Sequence, residues 1–178
     1  MAETEKKGLI HIRYLQKEDL SKIVHWNSDP EINIFFDGNY PIDLNDAEHL
    51  FHEERKRKTH RKSIGDLELV DIRWQKKEAE IRIRIGEKGY WNKGYGTEAI
   101  RKILSKAFQE MGLQRIYLRV YDFNLRAIRC YEKCGFRKVG ILKRSRPNLR
   151  QKAWKNIILM GISKFTWLKI VNHNNNCN

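Results

Sequence analysis

A glycine-rich turn between a predicted strand and a predicted helix constrains the fold of this chain more than any other feature. Residues 79–85 alternate between apolar and charged side chains, which is the period of a β-strand. Residues 98–111 carry apolar side chains at three- and four-residue spacing, which predicts a helix with one apolar face. The next strand is predicted at 115–121, and two strands joined through such a helix are expected to lie parallel. The chain is therefore predicted to be α/β.

The turn itself, residues 88–97, has the composition of an anion-binding loop. The first N–H groups of a helix lack intrahelical partners and carry partial positive charge, and glycine lets the main chain approach a ligand closely. Lys88 and Lys93 add charge nearby. The turn is not a P-loop, because no Gly-Lys-Ser/Thr follows it, and its glycine spacing differs from that of the dinucleotide fingerprint. Taken alone, it fits either a phosphate-binding nest or a tight connection without a ligand.

A second motif, residues 124–136, reads NLRAIRCYEKCGF. Together with WNKGYG at residues 91–96, it resembles the GNAT superfamily of acetyl-CoA-dependent N-acetyltransferases. The first stretch resembles the family's Q/R-x-x-G-x-G/A pyrophosphate loop, with Trp91 in the Q/R position. That departure is similar to the Rim-type branch, which acetylates protein N-termini. The second stretch resembles N-x-x-A-x-x-x-Y-x-x-x-G-F. The resemblance covers residues 10–163, which we predict to be one domain after a loose start at 1–9.

The resemblance implies acetyl-CoA as the acetyl donor and direct attack by a primary amine in a ternary complex. It implies that the turn holds the cofactor's pyrophosphate through Trp91, Asn92, Lys93, Gly94, Tyr95, Gly96 and Thr97. Asn124 is expected to bind the pantetheine arm. Tyr131 is expected to act as general acid, since a phenol is protonated at neutral pH. The strands at 79–85 and 115–121 are expected to splay apart around that arm. The acceptor is either a protein N-terminus or a small-molecule amine.

The implied fold is a central mixed sheet flanked by helices, with a shortened N-terminal half. Alternation predicts further strands at 9–15, 64–74, 136–142 and 153–162. Periodicity and caps predict helices at 19–26, 46–57, 125–134 and 165–171, followed by a frayed tail. Three aromatic residues are expected to wall the acceptor pocket or to pack as core: Phe35, Phe36 and Tyr40.

The general base is left open between two glutamates. Glu80 and Glu68 lie on strands expected to flank the cleft, and either could act directly or through water. Each also fits a surface salt bridge. His11 and His25 are weaker candidates. The charged face of the strand at 79–85 is expected to face solvent or a wet cleft, because charges in an apolar core need partners.

The formal net charge of +14 favours anionic partners. The basic cluster at 55–62 is interpreted either as a solvated loop or as a contact with a ribosome or another polyanion. An inactive GNAT scaffold that binds RNA or ribosomes is therefore the alternative to an enzyme. Arg82 and Arg84 near the cleft argue against a polycationic acceptor such as spermidine, since like charges repel.

Cysteine content and hydropathy bound the remaining possibilities. Cys130 and Cys134 share one face of the helix at 125–134 and are expected to pack in the core, so no metal site is predicted. No apolar run reaches the length of a membrane span. The N-terminus shows no apolar leader. We therefore predict a cytoplasmic protein without a membrane partner, either a monomer or a homodimer.

Overall fold

The computed structural model describes residues 10–36, 62–143 and 156–175. Two short helices precede the sheet, α1 (Leu20–Ser28) and α2 (Pro30–Asn33). Asp29 separates them and caps α2, because its side chain accepts a hydrogen bond from the Glu31 N–H at 3.0 Å. The first predicted helix is confirmed. The predicted helix at 46–57, the basic residues 55–61 and Tyr40 lie outside the described residues.

The described part of the chain forms one five-stranded mixed sheet. Its strands are β1 (Gly65–Arg73), β2 (Glu78–Ile85), β3 (Arg115–Tyr121), β4 (Arg137–Lys143) and β5 (Asn156–Ser163). The spatial order is β1-β2-β3-β5-β4, and only β2 and β3 run parallel. The predicted mixed α/β fold, with its parallel crossover after the glycine turn, is confirmed.

Three further helices accompany the sheet: α3 (Tyr95–Ser105), α4 (Leu125–Lys133) and α5 (Lys164–Asn175). Helix α3 forms the crossover between β2 and β3, and its last turn widens into a π-helical segment, Lys106–Glu110. Phe108 in that segment packs against Trp167 of α5 with ring centroids 5.5 Å apart. Helix α5 is longer than the predicted helix at 165–171. The predicted frayed tail from residue 173 is therefore wrong for residues 173–175, which are helical.

The core forms where the apolar sides of the sheet and helices meet. Its fully buried large side chains are Phe108, Phe136, Ile100, Leu104, Leu113, Ile116, Leu118 and Met160. The apolar face predicted for β2 is confirmed, because Ala79 is 0% and Ile81 2% exposed. Burial of this set supplies the main driving force for folding.

The sheet divides between β2 and β3. These strands pair only where residues 78–80 meet residues 115–117. Beyond that point β2 continues its ladder with β1, and β3 continues its ladder with β5. Each strand therefore follows a different neighbour, and a V-shaped opening forms between residues 81–85 and 118–121. The expected splay of the two strands is confirmed.

The segment before α1 is not a strand, so the prediction at 9–15 is wrong for residues 10–15. Its main chain is bonded by side chains of α3 instead of by a sheet edge. The N–H of Ile10 donates to the Glu98 carboxylate at 3.0 Å, and Lys102 donates to the Ile10 carbonyl. An alternating sequence forms a strand only where a partner edge is available, and here α3 satisfies the backbone groups.

Asp19 fastens this segment to the body of the protein. Its carboxylate accepts hydrogen bonds from Arg13 at 2.6 and 2.8 Å, from Ser63 at 2.6 Å and from the Gln16 N–H at 2.9 Å. Burial alone would raise the pKa of Asp19, but the hydrogen bonds from Arg13, Ser63 and Gln16 outweigh burial and hold this pKa below its ordinary value.

Replacing Asp19 by asparagine is expected to lower the free energy of unfolding by about 2 kcal/mol at neutral pH. A carboxyl whose folded pKa is depressed stabilises above its unfolded pKa and loses that effect as pH falls through the folded value. The difference between the wild type and Asp19→Asn should therefore be full at pH 7 and should shrink below about pH 4. Urea unfolding of both proteins at neutral and acidic pH measures this difference in the free energy of unfolding. A difference that does not change with pH, or no difference at neutral pH, would contradict the role given to Asp19.

Candidate active site

The V-shaped opening between β2 and β3 forms a cleft of about 780 Å³. Its walls come from both diverging strands, the glycine turn, the start of α3 and the inner side of α4. The cleft narrows to the point where the parallel ladder ends, at Glu80 opposite Tyr117. A cleft of this size, with polar groups converging from several elements, is typical of a small-molecule site.

The glycine turn presents unused main-chain donors to this cleft. Gly94 caps α3 with φ +86°, in the left-handed region, and Asn92 has φ +61°. Helix α3 begins with the Glu98 N–H bonded to the Gly94 carbonyl at 3.0 Å. Within the described residues, the N–H groups of 92–97 make no hydrogen bond. They remain available to an anion at the positive end of α3.

Trp91 lines the cleft with its indole ring, but its main-chain N–H is already hydrogen-bonded within the turn. The Trp91 N–H donates to the Lys88 carbonyl at 3.0 Å, and its indole N–H donates to the Ile85 carbonyl at 2.7 Å. The guanidinium of Arg126 lies 3.6 Å from the centre of the indole ring. Burial lowers the pKa of Arg126, and this residue has no carboxylate partner among the described residues. Arg126 was not among the residues predicted from the sequence, although a Trp in the Q/R position is a signal that positive charge comes from elsewhere.

Asn124 and Tyr131 reach the cleft from α4. The Asn124 side-chain oxygen accepts from the Ala127 N–H at 3.2 Å and caps α4, which leaves the amide NH₂ as a donor. Tyr131 is 8% exposed and packs edge-on against Phe136 at 6.0 Å. Burial raises the pKa of Tyr131, so its phenol stays protonated at neutral pH. Its hydroxyl makes no hydrogen bond within the described part of the chain.

Of the two glutamates proposed as base, only Glu80 lines the cleft. It is 3% exposed, and Arg119 donates to its two oxygens at 3.1 and 2.6 Å. Glu68 lies on β1 opposite Arg82, its side chain 42% exposed and 3.6 Å from that guanidinium. Arg119 was not among the residues predicted from the sequence. The parallel register shows why it pairs with Glu80, since it lies two residues beyond Tyr117 on the same face of β3.

Of the two environments expected for the charged face of β2, solvent or a wet cleft, the structure shows the cleft for Glu80, Arg82 and Arg84. Arg84 is 3% exposed and donates to Asp66 at 2.7 Å and to the Asn27 side chain. Its guanidinium also lies 5.6 Å from the ring centre of Trp26. Burial raises the pKa of Asp66, and Arg84 opposes that shift. These partners allow a charge to be buried beside the cleft.

The same contacts remove the basis for excluding a cationic acceptor. Arg84 is paired with Asp66, and Arg82 contacts both Glu68 and Glu80 at 3.6 and 3.5 Å. The positive charges on this wall are therefore matched by carboxylates and do not form a repulsive field.

Aromatic rings form another wall of the cleft. Phe35 stacks on Phe123 at 5.8 Å, and Phe123 stacks on Tyr121 at 5.2 Å. Phe36 also lines the cleft. His11 and His25 are exposed and do not line it. Within residues 10–36, 62–143 and 156–175, no cluster of histidine, cysteine and carboxylate side chains has the arrangement of a metal site.

Comparison with known proteins identifies the family. The family described as "Acetyltransferase (GNAT) domain" matches residues 10–137. The chain belongs to the GNAT acetyltransferases. It is an enzyme of this family that uses acetyl-CoA as acetyl donor, as the two motifs predicted. The cleft between β2 and β3 holds the residues of both motifs, and it is the candidate active site of this acetyltransferase.

Several relatives of this acetyltransferase carry one name. It is 29% identical over 74% of its length to "Spermidine N(1)-acetyltransferase" of Vibrio cholerae, covering 80% of that protein. It is 30% identical over 75% of its length to the protein of the same name in Escherichia coli K12, covering 75% of it. A crystal structure of the Vibrio cholerae spermidine N-acetyltransferase with CoA and spermine superposes with a TM-score of 0.74 at 26% identity, over 88% of this chain and 96% of that one.

These comparisons leave three of the predictions made from the sequence without support. None of the relatives described above is a Rim-type enzyme, so the Rim-like branch gains nothing from them. The inactive RNA-binding alternative and the ribosome contact through 55–62 are likewise unsupported. Lys62, the one described residue of that cluster, pairs with Glu87 at 2.7 Å. Among the described helices, none combines the length and apolar character needed to cross a bilayer.

Proposed function

We propose that this acetyltransferase moves the acetyl group of acetyl-CoA to a primary amine of a linear polyamine, by direct attack in a ternary complex. The observation that carries the proposal is the cleft itself, where free main-chain donors, a protonated phenol and a buried carboxylate converge. Support for the acceptor class comes from the relatives named for spermidine and from the matched charges around Arg82 and Arg84.

In this proposal the N–H groups of residues 92–97 hold the cofactor's diphosphate, with the side chains of Lys93 and Arg126 adding positive charge. The amide of Asn124 donates to the pantetheine arm, which lies along the unpaired edges of β2 and β3. Those edges carry backbone groups without ladder partners in the V, so an extended arm with its own amides can complete the pairing.

The chemistry requires an amine that has lost its proton and a thiolate that gains one. Tyr131 donates its proton to the sulfur of the departing CoA as the tetrahedral adduct collapses. The nitrogen forms its bond to the acetyl carbon as the carbon–sulfur bond breaks. Holding both substrates in one cleft supplies much of the acceleration, so no covalent enzyme intermediate is needed.

Glu80 receives the amine proton through a water molecule in this proposal. Its oxygens already accept hydrogen bonds from Arg119, which keeps the carboxylate oriented at the closed end of the cleft. Glu68 is the weaker candidate, because it lies outside the cleft lining. The aromatic wall of Phe35, Phe36 and Tyr121 contacts the methylene chain of the acceptor and attracts its ammonium groups.

Replacing Glu80 by glutamine is expected to lower kcat about 100-fold at neutral pH, because the amine then keeps its proton. The deficit should shrink as pH approaches the amine's own pKa of about 10. Glu68→Gln removes the same charge from the neighbouring strand and should change kcat less than about twofold. The role of Glu80 would be contradicted if both substitutions lowered kcat equally. It would also be contradicted if the loss of kcat in Glu80→Gln did not change with pH.

The proposed function is tested by incubating the protein with acetyl-CoA and spermidine, following loss of thioester absorbance and identifying the product by mass. We expect acetylspermidine and CoA in equal amounts. A peptide with a free N-terminus and no lysine tests the protein-acceptor alternative in a parallel reaction. Acetylation of the peptide without acetylation of any polyamine would overturn the polyamine assignment. Turnover of neither would overturn amine acetylation as a whole.

A further inference from the structure

Two cysteines on α4 and at its end lie directly behind the glycine turn. Cys130 is half-buried and lines the cleft, whereas Cys134 is 3% exposed. Cys130 Sγ lies 3.3 Å from Thr97 Oγ1, and Cys134 Sγ lies 3.5 Å from the Thr97 carbonyl oxygen. Both sulfurs therefore contact one residue in the first turn of α3. The proposed acetyl transfer uses neither of them.

The surroundings of Cys130 favour its thiolate. The Cys134 thiol lies on the same side of the helix, the Thr97 hydroxyl lies 3.3 Å from Cys130 Sγ, and Lys133 and Arg101 add positive charge nearby. These groups lower the pKa of Cys130 to about 7, with the Cys134 thiol as the largest cause. The interaction between the two sulfurs, together with burial, raises the pKa of Cys134. The pair thus consists of one nucleophilic sulfur, which reaches the cleft, and one buried thiol, which stays protonated.

The space around Cys130 Sγ limits where a group bonded to this sulfur can lie. A Cβ atom built on Gly96 would already lie 3.4 Å from Cys130 Sγ and 3.9 Å from Ile85 Cγ1. The gap between Gly96 and this sulfur therefore has room for one added carbon atom but not for a larger group. A larger group bonded to the sulfur extends into the cleft that Cys130 lines, where Gly96 and Thr97 belong to the run of unused main-chain donors.

We propose that Cys130 is a modification site for low-molecular-weight disulfides, and that the resulting mixed disulfide blocks cofactor binding. The Cys130 thiolate attacks one sulfur of the disulfide. A new sulfur–sulfur bond forms, the original one breaks, and the departing thiolate takes a proton from solvent. The incoming disulfide is the only oxidant, and an added thiol reverses the exchange.

The product is the mixed disulfide and not a bond between the two cysteines. Closing Cys130 onto Cys134 would require a thiolate at Cys134, which is buried and donates its hydrogen bond to the Thr97 carbonyl. The adduct therefore persists until an external thiol removes it, and acetyl-CoA in the cleft should compete with its formation.

The sequence has a third cysteine, Cys177. The test uses the full chain carrying Cys177→Ser, so that only Cys130 and Cys134 remain. The protein is treated with glutathione disulfide at neutral pH, desalted and divided. Peptide mass spectrometry locates the adduct, and calorimetry measures the Kd for CoA. We expect one glutathione on Cys130, at least about a tenfold loss of CoA affinity, recovery with dithiothreitol, and slower modification in the presence of acetyl-CoA.

Two further variants separate the roles of the cysteines. Cys130→Ser keeps a hydroxyl near Thr97, so it should bind CoA normally before and after treatment. Cys134→Ser should still accept glutathione at residue 130. The proposal is overturned if the fully modified protein binds CoA as tightly as before, if the adduct forms on Cys134, if an internal disulfide forms, or if Cys130→Ser loses affinity to the same extent. These readouts do not depend on acetyl transfer to any amine, so failure of the polyamine assignment leaves them intact.

Discussion

Replacing Tyr131 by phenylalanine is expected to lower kcat for acetyl transfer about 10²- to 10⁴-fold. The substitution removes only the hydroxyl, so the edge-on contact with Phe136 is retained and the fold should not change. The departing thiolate would then have no proton donor at the thioester. Because the proposed diphosphate site is formed by main-chain N–H groups of residues 92–97 and not by Tyr131, the Kd for CoA should stay within about twofold of the wild-type value.

Tyr90→Phe is the matched control for this experiment. Tyr90 also lines the cleft and contacts Tyr95 edge-on at 5.3 Å, but it is not placed at the thioester. Its loss of a hydroxyl should leave kcat nearly unchanged. Because the pKa of Tyr131 is raised, the wild-type rate should show no alkaline decline from this group below about pH 10. Equal kcat values for Tyr131→Phe and the wild type would remove Tyr131 from the mechanism.

Replacing Gly94 by valine is expected to weaken CoA binding about 100-fold, the equivalent of losing one or two hydrogen bonds to a charged group. Gly94 has φ +86°, where a β-branched residue is strained. The chain can relieve that strain only by moving the cap of α3, and this movement displaces the donors of residues 92–97. We expect a stability loss of about 1–2 kcal/mol as well. Calorimetry with CoA and thermal unfolding measure the two effects.

Gly89→Ala provides the control within the same turn. A Cβ at Gly89 would meet nothing within 4 Å, and this residue does not have positive φ. CoA affinity and stability should therefore remain close to those of the wild type. If Gly94→Val and Gly89→Ala bind CoA equally well, the conformation of the turn is not what creates the binding site.

The sheet and its crossover could be predicted because their causes are local. The alternation in β2 and the apolar stripe of α3 each follow from the residues of one segment. The glycine turn follows β2 and the 124–136 motif follows β3. Because these two strands are parallel, both motifs lie at the same edge of the sheet, and their meeting in one cleft follows from the topology. The splay was expected only from the family resemblance.

The errors arose where a distant partner determines the outcome. The segment at 10–15 alternates like a strand, yet Glu98 and Lys102 of α3 satisfy the Ile10 backbone. Glu80 and Arg84 were expected to face solvent or a wet cleft, yet each is almost fully buried. Arg119 and Asp66 on the neighbouring strands supply the compensating charges. Neither pairing is visible without the register of the sheet. The carboxylate partners of Arg82 and Arg84, which weaken the predicted repulsion of polyamines, were not visible for the same reason.

The most direct test of the account is a crystal structure of the protein grown with acetyl-CoA. The account predicts that the diphosphate accepts hydrogen bonds from N–H groups of residues 92–97, with the thioester sulfur beside the hydroxyl of Tyr131. A diphosphate bound elsewhere, or a thioester remote from Tyr131, would contradict it.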